Sequence, residues 1–282
     1  MSEERVPNTS PSKQKTIPNS PHPLLQCFEN SLKLSKNKSK LQNDHIYHLQ
    51  KSLGWRNHHS QSDEYPITIS GNEFSVRQVQ RGEIDNTYGT GATVWPASMI
   101  LAKFLEKKLL SGVRNKRVVD LGAGTGITSI AAAFLLSSST IVCTDGCHLV
   151  VQLAKENIER VASNVSSDGS SWIIHQNDVF VQTYQWGDGS LNGTFDIILV
   201  SDCLLPKLYP IEPLVNAIDE LSGTNSVTYM TYEQRYYPEY DPRDRFFELA
   251  KEKNLIIKEV AKEDQHEIFS LEDVQLWEIR RK

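Results

Sequence analysis

The sequence predicts an α/β protein: an open, mostly parallel sheet with helices on both faces, preceded by a small hairpin-and-helix extension. Three features carry that reading. From Arg117 onward, short apolar runs of strand length alternate with stretches whose apolar residues recur at helical spacing. The first of these runs leads straight into a glycine-rich turn, Asp120–Gly126, with a helical stretch behind it. The composition, 39% hydrophobic and 23% charged over 282 residues, supplies the apolar surface that a sizeable core requires. Alternation of strand and helix implies right-handed crossovers, which lay neighbouring strands parallel.

The elements follow in order. Residues 1–42 are rich in Ser, Asn, Pro and Lys and lack apolar periodicity, so a largely disordered tail is expected, with a short amphipathic helix at Leu24–Leu34. Residues 43–110 read as an N-terminal extension of a helix, a β-hairpin and a pre-core helix. Ile67, Ile69, Phe74, Val76 and Val79 alternate around Gly71-Asn72, the pattern of a hairpin. Ile100, Leu101, Phe104 and Leu105 mark Ala97–Leu110 as the helix. In the core, residues 111–282, strands are expected at Arg117–Leu121, Thr140–Thr144, Trp172–Gln176, Phe195–Ser201, Ser226–Tyr232, Leu255–Val260 and Gln275–Arg280. Helices are expected at Ile130–Leu136, Cys147–Val161, Ile211–Leu221 and Arg243–Lys253.

Charge and cysteine usage narrow the function classes. A net charge of −5 gives no basic footprint, so a nucleic-acid partner is not expected. Cys27, Cys143, Cys147 and Cys203 form no paired spacing and read as free thiols of a reducing compartment. No apolar stretch follows the first residues, and no run approaches the ~18 apolar residues of a membrane helix. A cytoplasmic protein is expected, with the nucleus as a second compartment, and no membrane partner. His45, His48, His58 and His59 cluster without Cys partners and off zinc-finger spacing, so no metal site is expected.

Val118-Val119-Asp120-Leu121-Gly122-Ala123-Gly124-Thr125-Gly126 is the most informative stretch. Glycines let a turn approach a ligand without a Cβ clash, and the helix behind it presents unpaired N–H groups. The spacing is G-x-G-x-G rather than the G-x-G-x-x-G of dinucleotide sites, and no Gly-Lys-Ser/Thr phosphate loop follows. Asp120 would repel a pyrophosphate but can pair with the ammonium of a methionine-like group. Asp145 ends the next strand, where a carboxylate can accept both ribose hydroxyls. These features favour S-adenosyl-L-methionine as cofactor over a dinucleotide. An Asp at position 145 that only caps the next helix is the plainer alternative.

From about Asn86 onward the chain resembles the seven-strand class I methyltransferases. Within them it is similar to the protein-lysine methyltransferase group that includes the valosin-containing-protein lysine methyltransferase. The resemblance rests on Thr90-Gly91-Ala92-Thr93-Val94-Trp95-Pro96-Ala97, Asp120–Gly126, Trp186-Gly187, Val200-Ser201-Asp202 and Tyr232-Glu233-Gln234-Arg235, in that order along the chain. It implies a Rossmann-like seven-stranded sheet whose last strand is antiparallel, and transfer of a methyl group to a lysine amine of a protein substrate. It also implies roles for residues. Trp95 would flank the cofactor pocket, Gly122, Gly124 and Gly126 would shape the turn, and Asp145 would hold the ribose diol. Trp186 would pack on the adenine, and Asp178 is a weaker candidate for the adenine amine. Ser201 and Asp202 would line the point of transfer; Asp202 would orient the amine and Glu233 would take up charge. Where the group carries an aromatic residue three positions after the acidic one, this chain has Leu205, with Tyr209 or Tyr232 as substitutes. That departure keeps two other readings open: a different acceptor (another protein group, RNA or a small molecule), or a non-catalytic interaction module on the same fold. A monomer is expected.

Overall fold

The computed structural model describes residues 54–80, 88–109, 113–206, 208–237 and 241–282; the expected tail and residues 43–53 of the extension lie outside them. The extension begins with an antiparallel hairpin of β1 (Glu64–Ile69) and β2 (Asn72–Arg77). Its two-residue turn falls on Ser70 and Gly71, both at positive φ (48° and 79°), the geometry that matches the right-handed strand twist. Ile67, Ile69 and Val76 are buried on one face of the hairpin. Helix α1 (Pro96–Lys108) opens on a proline whose ring presets helical φ and ends on Lys107 and Lys108, which suit the negative end of the helix dipole. Every residue from Ala97 to Leu105 is buried, so α1 is a core helix rather than a surface one.

The core alternates as expected: β3 (Arg117–Leu121), α2 (Ile127–Leu135), β4 (Thr140–Asp145), α3 (His148–Val161), β5 (Asn164–Val165), β6 (Trp172–Ile174), β7 (Asn177–Thr183), β8 (Phe195–Ser201), α4 (Ile211–Leu221), β9 (Ser222–Glu233), α5 (Pro242–Glu252), β10 (Leu255–Glu259) and β11 (Val274–Arg281). The strands form one sheet in the order β10-β11-β9-β8-β3-β4-β7-β6-β5. The β9-β8-β3-β4-β7 centre is parallel, and β11 inserts antiparallel between β9 and β10. Seven of these strands make the expected frame, and the short β5 and β6 extend its edge antiparallel.

The third core strand differs from the expectation at Trp172–Gln176. Trp172–Ile174 is only a hairpin arm, and the parallel neighbour of β4 is β7. The chain reverses at His175 and Gln176, both at positive φ (50° and 74°), a tight turn made without the usual Asn-Gly signal. Asn177, fully buried, supports the reversal by donating to the carbonyls of Ala133 and Leu136 at 2.7 and 2.8 Å.

Two apolar layers sandwich the sheet, and strand pleating divides the residues between them. Val118, Ile197 and Leu199 face the layer that includes α1 and α2. Val119, Leu121, Ile198 and Val200 face the layer of α4 and α5. Strand β3 is flanked by β4 and β8: the chain runs outward from β3 through β4 to β7 and then returns to the other side of β3 at β8. The carboxyl ends of these strands, at Leu121, Asp145 and Ser201, therefore diverge into a crevice, the usual ligand position in an open α/β sheet.

Candidate active site

A cavity of about 550 Å³ opens at that crevice, within the size range of small-molecule sites. Its floor is the turn after β3. Gly122 and Gly124 hold positive φ (69° and 57°), and each is pressed by a neighbour. A Cβ on Gly122 would lie 2.9 Å from Cys203 Sγ and 3.6 Å from the Trp186 ring. One on Gly124 would lie 3.0 Å from the Gly91 carbonyl oxygen. Glycine is thus required twice over, by backbone conformation and by space. Gly126 lies off the cavity as the N-cap of α2, where a Cβ would meet Ala154 and Cys143 at 3.4 and 3.6 Å.

Asp145 stands at the cavity wall on the end of β4. Its carboxylate accepts from the backbone N–H of Gly124 at 3.2 Å and of Cys147 at 3.0 Å, which ties the glycine turn to the start of α3. Burial pushes this carboxyl above its ordinary range, opposed by these N–H bonds and that of Gly146. Two oxygens have about four acceptor sites, so capacity for a diol remains. The cap-like bond to Cys147 therefore does not exhaust this residue.

Three segments close around the mouth. Trp95, N-cap of α1, lines the wall and donates its indole N–H to the Thr90 carbonyl at 2.8 Å. The Thr90 hydroxyl meets the Tyr209 hydroxyl in a short hydrogen bond. Trp186, half-buried, lies edge-on to Tyr209 with ring centroids 6.0 Å apart. Leu205 and Tyr209 both line the cavity, whereas Tyr232 is fully buried, stacked on Trp277 at 5.4 Å with its hydroxyl on Asp241. Of the two tyrosines considered as substitutes for the missing aromatic, the geometry leaves Tyr209.

At the end of β8, the Ser201 hydroxyl reaches the cavity region yet finds no hydrogen-bond partner among the described residues. Asp202 follows at φ 54°, a left-handed conformation that asparagine and aspartate tolerate best. Its carboxylate is engaged on both oxygens: Arg235 donates at 2.8 and 2.5 Å and the Glu233 N–H at 3.1 Å. Burial pushes the Asp202 carboxyl up, while Arg235 pulls it back.

Several residues singled out in the sequence stand elsewhere. Asp120 does not face the cavity: it is fully buried beneath the turn, accepting from the Ser129 hydroxyl at 2.8 Å, and its other oxygen has no partner among the described residues. Residues of β3 alternate between faces, and this one points toward α2, so a direct pair with a ligand ammonium is not what the geometry offers. Desolvation raises its carboxyl to about 6. Glu233 also lies off the wall, bridging Arg56 at 2.6 Å and Arg235 at 3.2 Å. Asp178 pairs with Thr140 at the far end of the sheet and accepts from Ser171, which removes it as an adenine contact. Among the described residues no group of His, Cys, Asp and Glu could hold a metal, and His45 and His48 lie outside them. Cys143 and Cys203 are buried free thiols, and Cys27 lies outside the described residues. No helix among these residues is long and apolar enough to cross a membrane.

Sequence reasoning missed Cys203, whose sulfur packs under Gly122, and Arg56, which no motif includes. It also missed Ser98, one turn into α1 on the cavity wall. Only the proximity of Ser98 to the Trp95-Pro96 signature could have drawn notice to it.

Comparison with known proteins decides the family. A family model described as lysine methyltransferase matches residues 78–253, more than half of the chain. The chain belongs to the lysine methyltransferase family. The matched region begins at Gln78, just after the hairpin, and ends beyond α5, so it contains the whole cavity. Among relatives, the protein N-lysine methyltransferase METTL21A of Xenopus tropicalis is 30% identical over 165 residues, 58% of this chain and 68% of that protein. The METTL21A of Danio rerio is 28% identical over 184 residues, 64% and 75% of the two chains. The calmodulin-lysine N-methyltransferase of Arabidopsis thaliana is 34% identical over 152 residues, 50% of this chain and 48% of that one. The cofactor of this lysine methyltransferase family, S-adenosylmethionine, fits the site on its own terms. The turn leaves no room for a Cβ at Gly122 or Gly124, the Asp145 carboxylate stands at the strand end, and Trp186 and Ser201 line the same cavity.

Proposed function

We propose that this chain transfers a methyl group from S-adenosylmethionine to a lysine amine of a protein substrate, using the cavity at the ends of β3, β4 and β8. The observation that carries the reading is Asp145, fixed by Gly124 and Cys147 beside a turn that only glycine can make. Family membership supports reading that turn as the cofactor cradle, and the relatives that match are named for lysine acceptors in proteins.

The bound cofactor supplies an electrophilic methyl on a sulfonium centre; the rest is work for the chain. Gly122 and Gly124 would admit close backbone approach, Asp145 would accept from the two ribose hydroxyls, and Trp186 would offer an apolar face to the base. Trp95, Ser201 and Leu205 line the remaining space, where the acceptor enters. Methyl transfer requires an in-line, neutral amine, and holding it in place is equivalent to about 7–11 kcal/mol of barrier. A lysine amine has a pKa of about 10.4 in water, so the wall it passes must disfavour the ammonium. Burial and the Tyr209 ring supply an environment of low polarity there. The cytoplasm is the compartment we assign, and a monomer the working state.

The test is incubation of the protein with methyl-tritiated S-adenosylmethionine and cell extract, followed by acid hydrolysis and mass spectrometry of the labelled band. Methyl-lysine in a protein is expected. Label found only in RNA, or released by mild base as from an ester, would overturn the lysine assignment; absence of cofactor binding by calorimetry would overturn the whole reading.

A further inference from the structure

Asp202 is the only carboxylate on the acceptor side of the cavity wall among the described residues, and it is not free. Arg235 grips it through two guanidinium nitrogens at 2.8 and 2.5 Å, the fork geometry that suits carboxylates. The arginine is itself held: it bonds the Glu233 side chain and carbonyl at 3.2 Å each, and lies 5.6 Å from the Trp95 ring centroid. Glu233 is backed in turn by Arg56, which also pairs with Asp273 at 2.6 Å. Five charged groups from four parts of the chain thus converge behind one wall of the site. Asp202 has 4% of its side chain exposed and Arg235 24%, so solvent screens the pair little on the Asp202 side.

We propose that Arg235 is a positioning residue that keeps the Asp202 carboxylate neutralised, so that the acceptor lysine meets a paired ion rather than a bare anion. This rests on the reading above that a lysine amine enters here. A bare carboxylate beside the amine would stabilise its ammonium form, which has no lone pair to attack with. A carboxylate already paired does so far less. The charged and titratable groups facing this point are Asp202, Cys203, Glu233, Arg235, Arg56, Asp273, Asp145 and Tyr237. Arg235 contacts both Asp202 oxygens through its side-chain nitrogens, and it shares Glu233 with Arg56.

The proposal has a kinetic signature that misfolding or mere displacement would not produce. In Arg235→Gln the acceptor binds as its ammonium in an unreactive complex, so kcat and the acceptor KM fall together near neutral pH. The rising limb of kcat against pH moves up by about one unit or more, because kcat reports groups in the bound complex. That corresponds to about tenfold lower kcat on the limb for each unit, with recovery at high pH. The doubly substituted Asp202→Asn, Arg235→Gln protein should return the limb toward the wild-type position, since asparagine suits φ 54° and carries no charge. The acceptor is the protein band labelled in extract, purified, and each variant is checked for S-adenosylhomocysteine binding by calorimetry, expected within a few-fold of wild type. A kcat/KM deficit in Arg235→Gln that stays constant from about pH 6 to about pH 10, with the limb unmoved, would overturn the proposal. If Arg235→Gln fails to bind S-adenosylhomocysteine, Arg235→Lys decides: its charge should keep the wild-type limb, and a displaced limb would refute the neutralising role. A wild-type protein that labels no lysine at all sinks the underlying assignment instead, and is distinguished by that blank.

Discussion

Replacing Asp120 by asparagine should stabilise the folded protein, and by an amount that depends on pH. Asp120 is fully buried, has one partner at 2.8 Å on one oxygen and none on the other among the described residues. Desolvation, the largest influence, raises its carboxyl from 3.8 to about 6, opposed chiefly by the Ser129 hydroxyl. A folded-state pKa above the unfolded one means that the native state binds the proton more tightly. Stability therefore falls as pH rises through the window between 3.8 and about 6, and stays low above it. Roughly two units at about 1.4 kcal/mol each give a penalty on the order of 3 kcal/mol above that window, shrinking to about half near pH 5. Asparagine cannot ionise and keeps the shape, so Asp120→Asn should lose this penalty. Urea unfolding of both proteins at pH 7.5 and at pH 5 measures it: the stability difference should favour the variant and be smaller at the lower pH. A difference that is unchanged between the two pH values, or that favours the wild type at pH 7.5, would refute the argument. The same variant should bind S-adenosylhomocysteine with only modestly altered affinity, since Asp120 stands behind the turn and not on the cavity wall.

Other substitutions test the site and its supports. Asp145→Ala should weaken S-adenosylhomocysteine binding at least about tenfold by calorimetry, because it removes an acceptor of charged hydrogen bonds worth about 1.5–3 kcal/mol. Gly122→Ala places a methyl 2.9 Å from Cys203 Sγ at a φ of 69°; about 1–3 kcal/mol of stability should be lost, together with cofactor binding, in denaturation and titration experiments. Asn157→Ala removes bonds to Arg77 N–H, Arg77 C=O and Thr125 C=O; urea unfolding should register a loss of about 2–4 kcal/mol.

How far the sequence disclosed this protein depends on what each residue signals locally. Strands β3 and β8 are mostly apolar runs, each carrying one aspartate, that end just before Gly122 and at Ser201, and their limits are plain in the sequence. Strand β7 was hidden because it begins with Asn177-Asp178 and follows a turn of His175 and Gln176, residues whose backbone geometry nothing in their type announces. The glycine turn and Asp145 were legible because few chemistries need both. The direction of Asp120 was not, since strand pleating, and not residue type, decides which side of the sheet a carboxylate takes. The grip of Arg235 on Asp202 spans 33 positions, and that of Arg56 on Glu233 spans 177; such pairs exist only once the fold brings them together.

That last contact bears on why a hairpin outside the sheet belongs to the enzyme. Three buried or half-buried polar side chains join the extension to the parts that form the site. Gln78, 2% exposed, donates to the carbonyls of His59 and Ser62 and accepts from Val94 N–H at 2.7 Å, fixing the segment that leads into Trp95. Asn157, fully buried, links the backbone of Arg77 to Thr125 in the glycine turn. Arg56 anchors Glu233 and through it Arg235. Buried amides hold position because breaking one bond leaves its partner without water as a substitute. The roof, the floor and the acceptor wall of the cavity are therefore each fastened to residues between 54 and 94, and the sheet alone would leave all three less constrained. A protein cut to begin at residue 95 should accordingly lose cofactor affinity even if its sheet still forms; retention of wild-type affinity in that fragment would show the extension to be dispensable to the site.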